Sequence, residues 1–272
     1  MNGSGVNRLF LRIGATVLLV AGLPAVLVTV WWFASAGSTS IYEPPLHRIV
    51  STFGQVWTPD RLRTDVLPSV LRLLGGYALA GLAGVGCGVL LGSFRTARAV
   101  AEPVLELFRA VPPPVLVPVI MLFAGIGDTM KVVVIAFGCF WPVLLNTVEG
   151  VRAVDQVADD TARCYGVRGG GRLVHLVLPA AGPQIMAGLR QALSIGIILM
   201  VISEMFAASS GIGFTVVEFQ RSFAIPEMWT GILVLGLLGV VLSLLFRLVE
   251  QRVLGWYHGL RGAQREGGGG HA

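Results

Sequence analysis

Runs of about twenty residues almost free of charge recur along this chain, and each is long enough as a helix to cross the roughly 30 Å hydrocarbon core of a bilayer. Six such runs are predicted as spans, at about 14–34, 69–93, 104–124, 130–147, 187–206 and 230–249. Hydrocarbon cannot satisfy backbone donors and acceptors, so each run must be helical and the fold class is an all-α polytopic membrane bundle. With 54% hydrophobic residues, 13% charged residues and a mean hydropathy of +0.78, a soluble globule is excluded.

The first run follows Arg8 and Arg12. It is longer than the apolar core of a typical signal peptide and no small-x-small cleavage signal stands out, so it is read as an anchored helix. The formal net charge is +5, carried by arginines and the single lysine, Lys131. These charges punctuate the apolar runs instead of gathering on one surface, which points to membrane topology and away from nucleic acid. With the N terminus inside, fourteen of the 20 basic residues fall on the inner side and six outside. Both termini are therefore expected in the cytoplasm. Cys87, Cys139 and Cys164 lie singly and the four histidines are scattered, so neither a disulfide framework nor a metal site is expected.

Within the second run, Ala80, Gly84, Gly88 and Gly92 recur at every fourth position and form a face on which another helix can approach closely. Pro112, Pro113 and Pro114 predict an irregular or kinked start to the third run, and Trp141 with Pro142 interrupts the fourth. Residues 35–68 read as an extracytoplasmic loop, and residues 259–272, with four consecutive glycines, as a flexible tail. Residues 148–186 are the longest polar stretch between two runs. They read as two short cytoplasmic helices separated by Gly166 and the glycines at 169–171, a projection suited to a soluble partner or, equally, an inert connector.

Asp160, Thr161, Ala162, Gly166, Leu176, Leu178 and Pro179 in that segment resemble the coupling-loop signature of bacterial ABC importer permeases. The usual form begins Glu-Ala-Ala; here Asp160 replaces the Glu and Thr161 the first Ala, with the spacing kept. Residues 109–114, 122–128, 140–147 and 209–214 resemble the nitrate, sulfonate and taurine branch of these permeases, and the resemblance covers roughly residues 64–258. It implies a type I importer fold with a core domain at 69–258, preceded by the first helix at 1–34. It also implies a permease homodimer in the inner membrane, surrounded by lipid, above two cytoplasmic ATPase subunits and served by an extracytoplasmic solute-binding protein. The seven coupling-loop residues would transmit ATPase motion: Gly166 shaping a short lever helix, Asp160 positioning it through polar or helix-terminal contacts, and Pro179 fixing its exit toward the fifth span.

The chain is not expected to be an enzyme or to hold a cofactor, and ATP would be used by the partner ATPase. The nearest imitation of a phosphate-binding loop, around Lys131, has Met130 where glycine is required and Val132 where a hydroxyl is required. For the solute route, Glu204 near the end of the fifth run is a candidate because an ionisable residue at membrane depth is costly. Its rival reading is an interfacial residue that is hydrated or pairs with a neighbouring subunit. Phe140, Trp141 and Met200 are further candidates, with ordinary packing as the competing reading. An ion-coupled secondary transporter and a non-transporting membrane scaffold are the alternative functions.

Overall fold

The computed structural model describes residues 22–206 and 208–257. Ten helices are described: α1 Gly22–Ser35, α2 Leu46–Val56, α3 Pro59–Ser93, α4 Arg95–Ala110, α5 Pro113–Ala124, α6 Asp128–Arg152, α7 Gln156–Cys164, α8 Gly169–Phe206, α9 Ile212–Arg221 and α10 Ile225–Val253. Among them α3, α6, α8 and α10 are each long and apolar enough to cross a membrane, and the bent pair α4 and α5 makes a fifth crossing if counted as one. The first predicted span, about 14–34, corresponds to α1, a shorter apolar helix; the rest of that run lies outside the described residues, as does the tail.

α6 is the centre of the bundle, flanked by α3 on one side and α8 on the other. The glycine face of α3 explains the first contact. A Cβ added at Gly84 would lie 2.9 Å from the Val143 side chain, at Gly88 2.5 Å from Thr147 Cβ and at Gly92 2.7 Å from Val151, so only hydrogen at these positions lets the backbones approach this closely. Gly76 extends the same face against Ile135. Gly188 and Gly196 do the same for α8, against Asn146 and Cys139 of α6. The core these contacts seal holds Leu73, Met130, Val134, Ile135, Cys139, Val143, Leu199 and Met200. Outside it, Leu71 and Leu82 of α3 and Leu237, Val240, Leu244 and Leu248 of α10 are exposed, as expected of surfaces solvated by acyl chains.

One local expectation, the break at the prolines, holds and three are revised. The third predicted span is two helices, α4 and α5, at 80° to each other, because the prolines at 112–114 supply no N–H with which to continue α4. Trp141 and Pro142 do not interrupt the fourth, since α6 runs on through Pro142 to Arg152. The segment 35–68 is not all loop: it contains α2 and the first turns of α3. Finally, the glycines at 169–171 do not separate two short helices. Gly169 opens α8, which continues unbroken into the membrane.

The chain uses one solution twice to admit a proline near the start of a long helix. Leu62–Val66 in α3 and Leu173–Val177 in α8 are π-helical turns, with the Leu67 amide donating to the Leu62 carbonyl and the Leu178 amide to Leu173. Pro68 and Pro179 follow immediately. A proline ring clashes with the carbonyl four residues earlier in an α-helix, and the wider π turn relieves that clash while the helix continues. Pro179 therefore does not fix an exit from a loop; it is accommodated inside a continuous helix.

Candidate functional site

At one end of the bundle, α7 joins α6 to α8. Asp155 accepts a hydrogen bond from the Val157 amide (3.3 Å) and caps the helix start. At the other end, the Gly166 amide donates to Arg163 O (3.0 Å) and the Val167 amide to Ala162 O (2.9 Å), a Schellman turn that places Gly166 at φ +75°. A side chain there is strained by its own backbone, which is the physical reason for glycine. No residue of α7 is buried, and Thr161 hydrogen-bonds back to the Val157 carbonyl. The helix is tied to α8 by Asp159, which pairs with Arg163 at 2.9 Å and with Arg172. The Arg172 hydrogen bond, helped by the charges of Arg172 and Arg163, holds the Asp159 carboxyl below the usual range.

This changes the internal roles expected of the signature residues. Asp155 caps the helix and Asp159 fastens it, whereas Asp160 is exposed and makes no ion pair among the described residues. Thr161 is also exposed, and Ala162 and Leu176 line a shallow groove beside Val167 and His175. Leu178 and Pro179 belong to the early turns of α8.

The four pathway candidates divide. Trp141 stacks on Phe108 (centroids 6.0 Å, interplanar 7°) and meets Phe137 and Phe140 edge-on, forming a half-buried aromatic cluster beside the α4–α5 corner. Met200 is completely enclosed in the core of a single chain, so its surroundings are those of a packing residue. Glu204 is also completely buried within the single chain.

Glu204 instead anchors an ionic lattice at the bundle end opposite α7. Its carboxylate accepts from Arg72 (2.8 Å), from Ser69 Oγ (2.7 Å) and from the Gly213 amide (3.0 Å). Arg72 also reaches Asp128 (2.8 Å) and both the carbonyl and the hydroxyl of Ser210 (3.0 Å each), and Lys131 approaches Asp128 at 3.3 Å. The Ile212 amide donates to Ser69 Oγ (3.0 Å). Gly211, at φ +123°, has no room for a Cβ, which would lie 2.4 Å from the Glu204 carboxyl carbon. Three membrane helices and the loop before α9 thus converge on charges that would be expensive alone in lipid. Arg72, Asp128 and Lys131 were legible only as basic or acidic residues near span ends; the available signal was an arginine inside an apolar run with a lone lysine three residues after an aspartate.

A polar projection at one end, a closed ionic cluster at the other and a tightly packed helical trio between them form the setting for the sequence comparisons. Residues 81–255, more than half of the chain, match the model of the binding-protein-dependent transport system inner membrane component. The chain belongs to this family. Among its relatives, the taurine transport system permease protein of Escherichia coli (strain K12) is 30% identical over 248 residues, covering 89% of this chain and 90% of that protein. The putative aliphatic sulfonates transport permease protein of the same organism is 30% identical over 87% of this chain and 92% of its own length. The nitrate import permease protein of Synechocystis sp. (strain PCC 6803) is 25% identical over 85% and 86%. The fold is shared with the MetNI methionine ABC transporter in an inward-facing conformation, at a TM-score of 0.60 and 17% identity, over 71% of this chain and 95% of that one. Like other members of this family, the chain is a multi-pass membrane permease subunit of an ABC importer for a small solute.

Proposed function

We propose that two copies of this chain form the membrane pathway of an importer for a small organic sulfonate such as taurine, or for nitrate. The cytoplasmic ATPase pair grips α7, and an extracytoplasmic binding protein delivers the solute at the Glu204 end. Both termini and α7 face the cytoplasm, in keeping with the excess of arginine on that side. The observation that carries this reading is α7 itself: a short helix with no buried residue, capped at both ends and braced to α8 through Asp159 and Arg172. Such a helix is a rigid handle, and α8, continuous from Gly169 to Phe206, joins it to the far end of the bundle. Nucleotide and solute sites can be coupled only through elements that differ between two global states, and this handle supplies one. The names of the relatives support a solute that carries a sulfonate group or is nitrate.

The test is ATP-dependent uptake in proteoliposomes holding the chain, its ATPase and its binding protein, with taurine, an alkanesulfonate and nitrate as solutes. Wild type imports at least one of these, and Gly166→Pro abolishes uptake while the complex still assembles. Uptake that persists without the ATPase and follows an ion gradient overturns the proposal in favour of a secondary transporter. Normal assembly with no uptake of any solute favours a scaffold.

A further inference from the structure

A groove of about 560 Å³ opens between α8 and α10, away from both the ionic lattice and α7. Arg190 and Ser194 line it from α8, and Ser243, Arg247 and Glu250 from α10. Glu250 pairs with Arg190. Arg247 has no ion pair or hydrogen bond among the described residues, so the groove keeps one uncompensated positive charge beside two hydroxyls. Arg247 lies six residues before the end of α10 at Val253, about 9 Å along the helix, which puts it near the membrane boundary on the α7 side. On the adjoining surface of α10, Leu244 and Leu248 are both more than half exposed and one turn apart, a ridge suited to acyl chains. A charge left unpaired against hydrocarbon is costly, whereas the same charge at headgroup level has a natural partner.

We propose that this groove is an oxyanion site occupied by the phosphate of an anionic phospholipid headgroup. Arg247 provides the planar donor fork that suits phosphate, the two serines provide hydroxyl donors, and the Leu244–Leu248 ridge carries an acyl chain. The assignment to the inner leaflet rests on the orientation proposed above. A sulfonate or nitrate has the same donor requirements, so the solute is the rival source of the oxyanion.

The full chain in neutral detergent, titrated with short-chain phosphatidylglycerol and read by native mass spectrometry, tests the site. Wild type retains phosphatidylglycerol in preference to phosphatidylcholine; Arg247→Gln weakens retention at least about tenfold, and Arg247→Lys keeps part of it. Ser243→Ala, a milder change on the same wall, weakens retention in the same direction, and an unchanged thermal midpoint establishes that both variants fold. Equal retention by wild type and Arg247→Gln, or no preference over phosphatidylcholine, overturns the proposal. Unchanged lipid retention with a solute KM raised about tenfold assigns the groove to the solute and also overturns it. The binding readout does not require transport, so a chain that holds the lipid and imports nothing refutes the proposed function while leaving the site standing.

Discussion

Each buried charge of the Glu204 lattice, on Glu204, Arg72 and Lys131, is tolerable because its partners are present. Removing one member of a buried pair leaves its partner uncompensated, at a typical cost of 3–5 kcal/mol, roughly the scale expected here. Glu204→Ala is therefore expected to destabilise the chain by about that much, measured by thermal or denaturant unfolding in detergent. A double replacement of Arg72 and Glu204 by methionine is expected to recover most of the loss, because a well-packed apolar pair carries no stranded charge. If the single and double variants prove equally unstable, the ionic account of this end of the bundle is wrong. The glycine face of α3 offers a second residue-level contrast. Gly88→Val drives a side chain into Thr147 and is expected to cost about 1–3 kcal/mol by overpacking, whereas Gly86→Ala meets nothing within 4 Å and should leave the midpoint almost unchanged.

Among the helices, α7 is fastened to α8 through the Asp159–Arg172 pair, with Arg163 of α7 itself as a second partner of the same carboxylate. Because Asp159 has a carboxyl pKa lowered below 3.8, its contribution is fully present above that pH and is lost only as pH falls through the lowered value. Uptake between pH 5 and 8 is accordingly expected to show no titration from this residue, and Asp159→Asn to lower uptake uniformly across that range. A pH-dependent defect confined to the variant would show that another group shares the role. The Schellman turn makes a separate prediction. Gly166→Val keeps the backbone amide but strains the positive φ, so it should impair coupling less than Gly166→Pro, which removes the donor to Arg163 as well; the ratio of solute-stimulated to basal ATP hydrolysis in the assembled complex measures the difference.

For the molecule as a whole, the three cysteines report topology without any engineered label site. Cys164 is exposed in α7, Cys139 is buried, and Cys87 is exposed on α3. A membrane-impermeant maleimide should label Cys164 in inside-out vesicles and not in right-side-out ones, with Cys164→Ser as control; the reverse pattern would invert the proposed orientation. The helical membrane class, four of the spans and the close-packing face of α3 were all legible beforehand. Hydrophobic run length and small-residue spacing are local properties, and lipid leaves the backbone no other regular choice. The break at the prolines 112–114 was legible for the same reason, since a missing donor acts on its own turn. Spacing also picked out Gly166, but the motif pointed to Asp160 where the structure uses Asp155 and Asp159, because the three acids are chemically alike in a sequence and differ only in what lies opposite them. Tertiary structure alone decided that Met200 is core, that the glycines at 169–171 open a long helix, and that Glu204 closes an ion pair with Arg72. Those two residues are 132 positions apart, and a charge's role in a membrane depends on whether a partner from another helix reaches it.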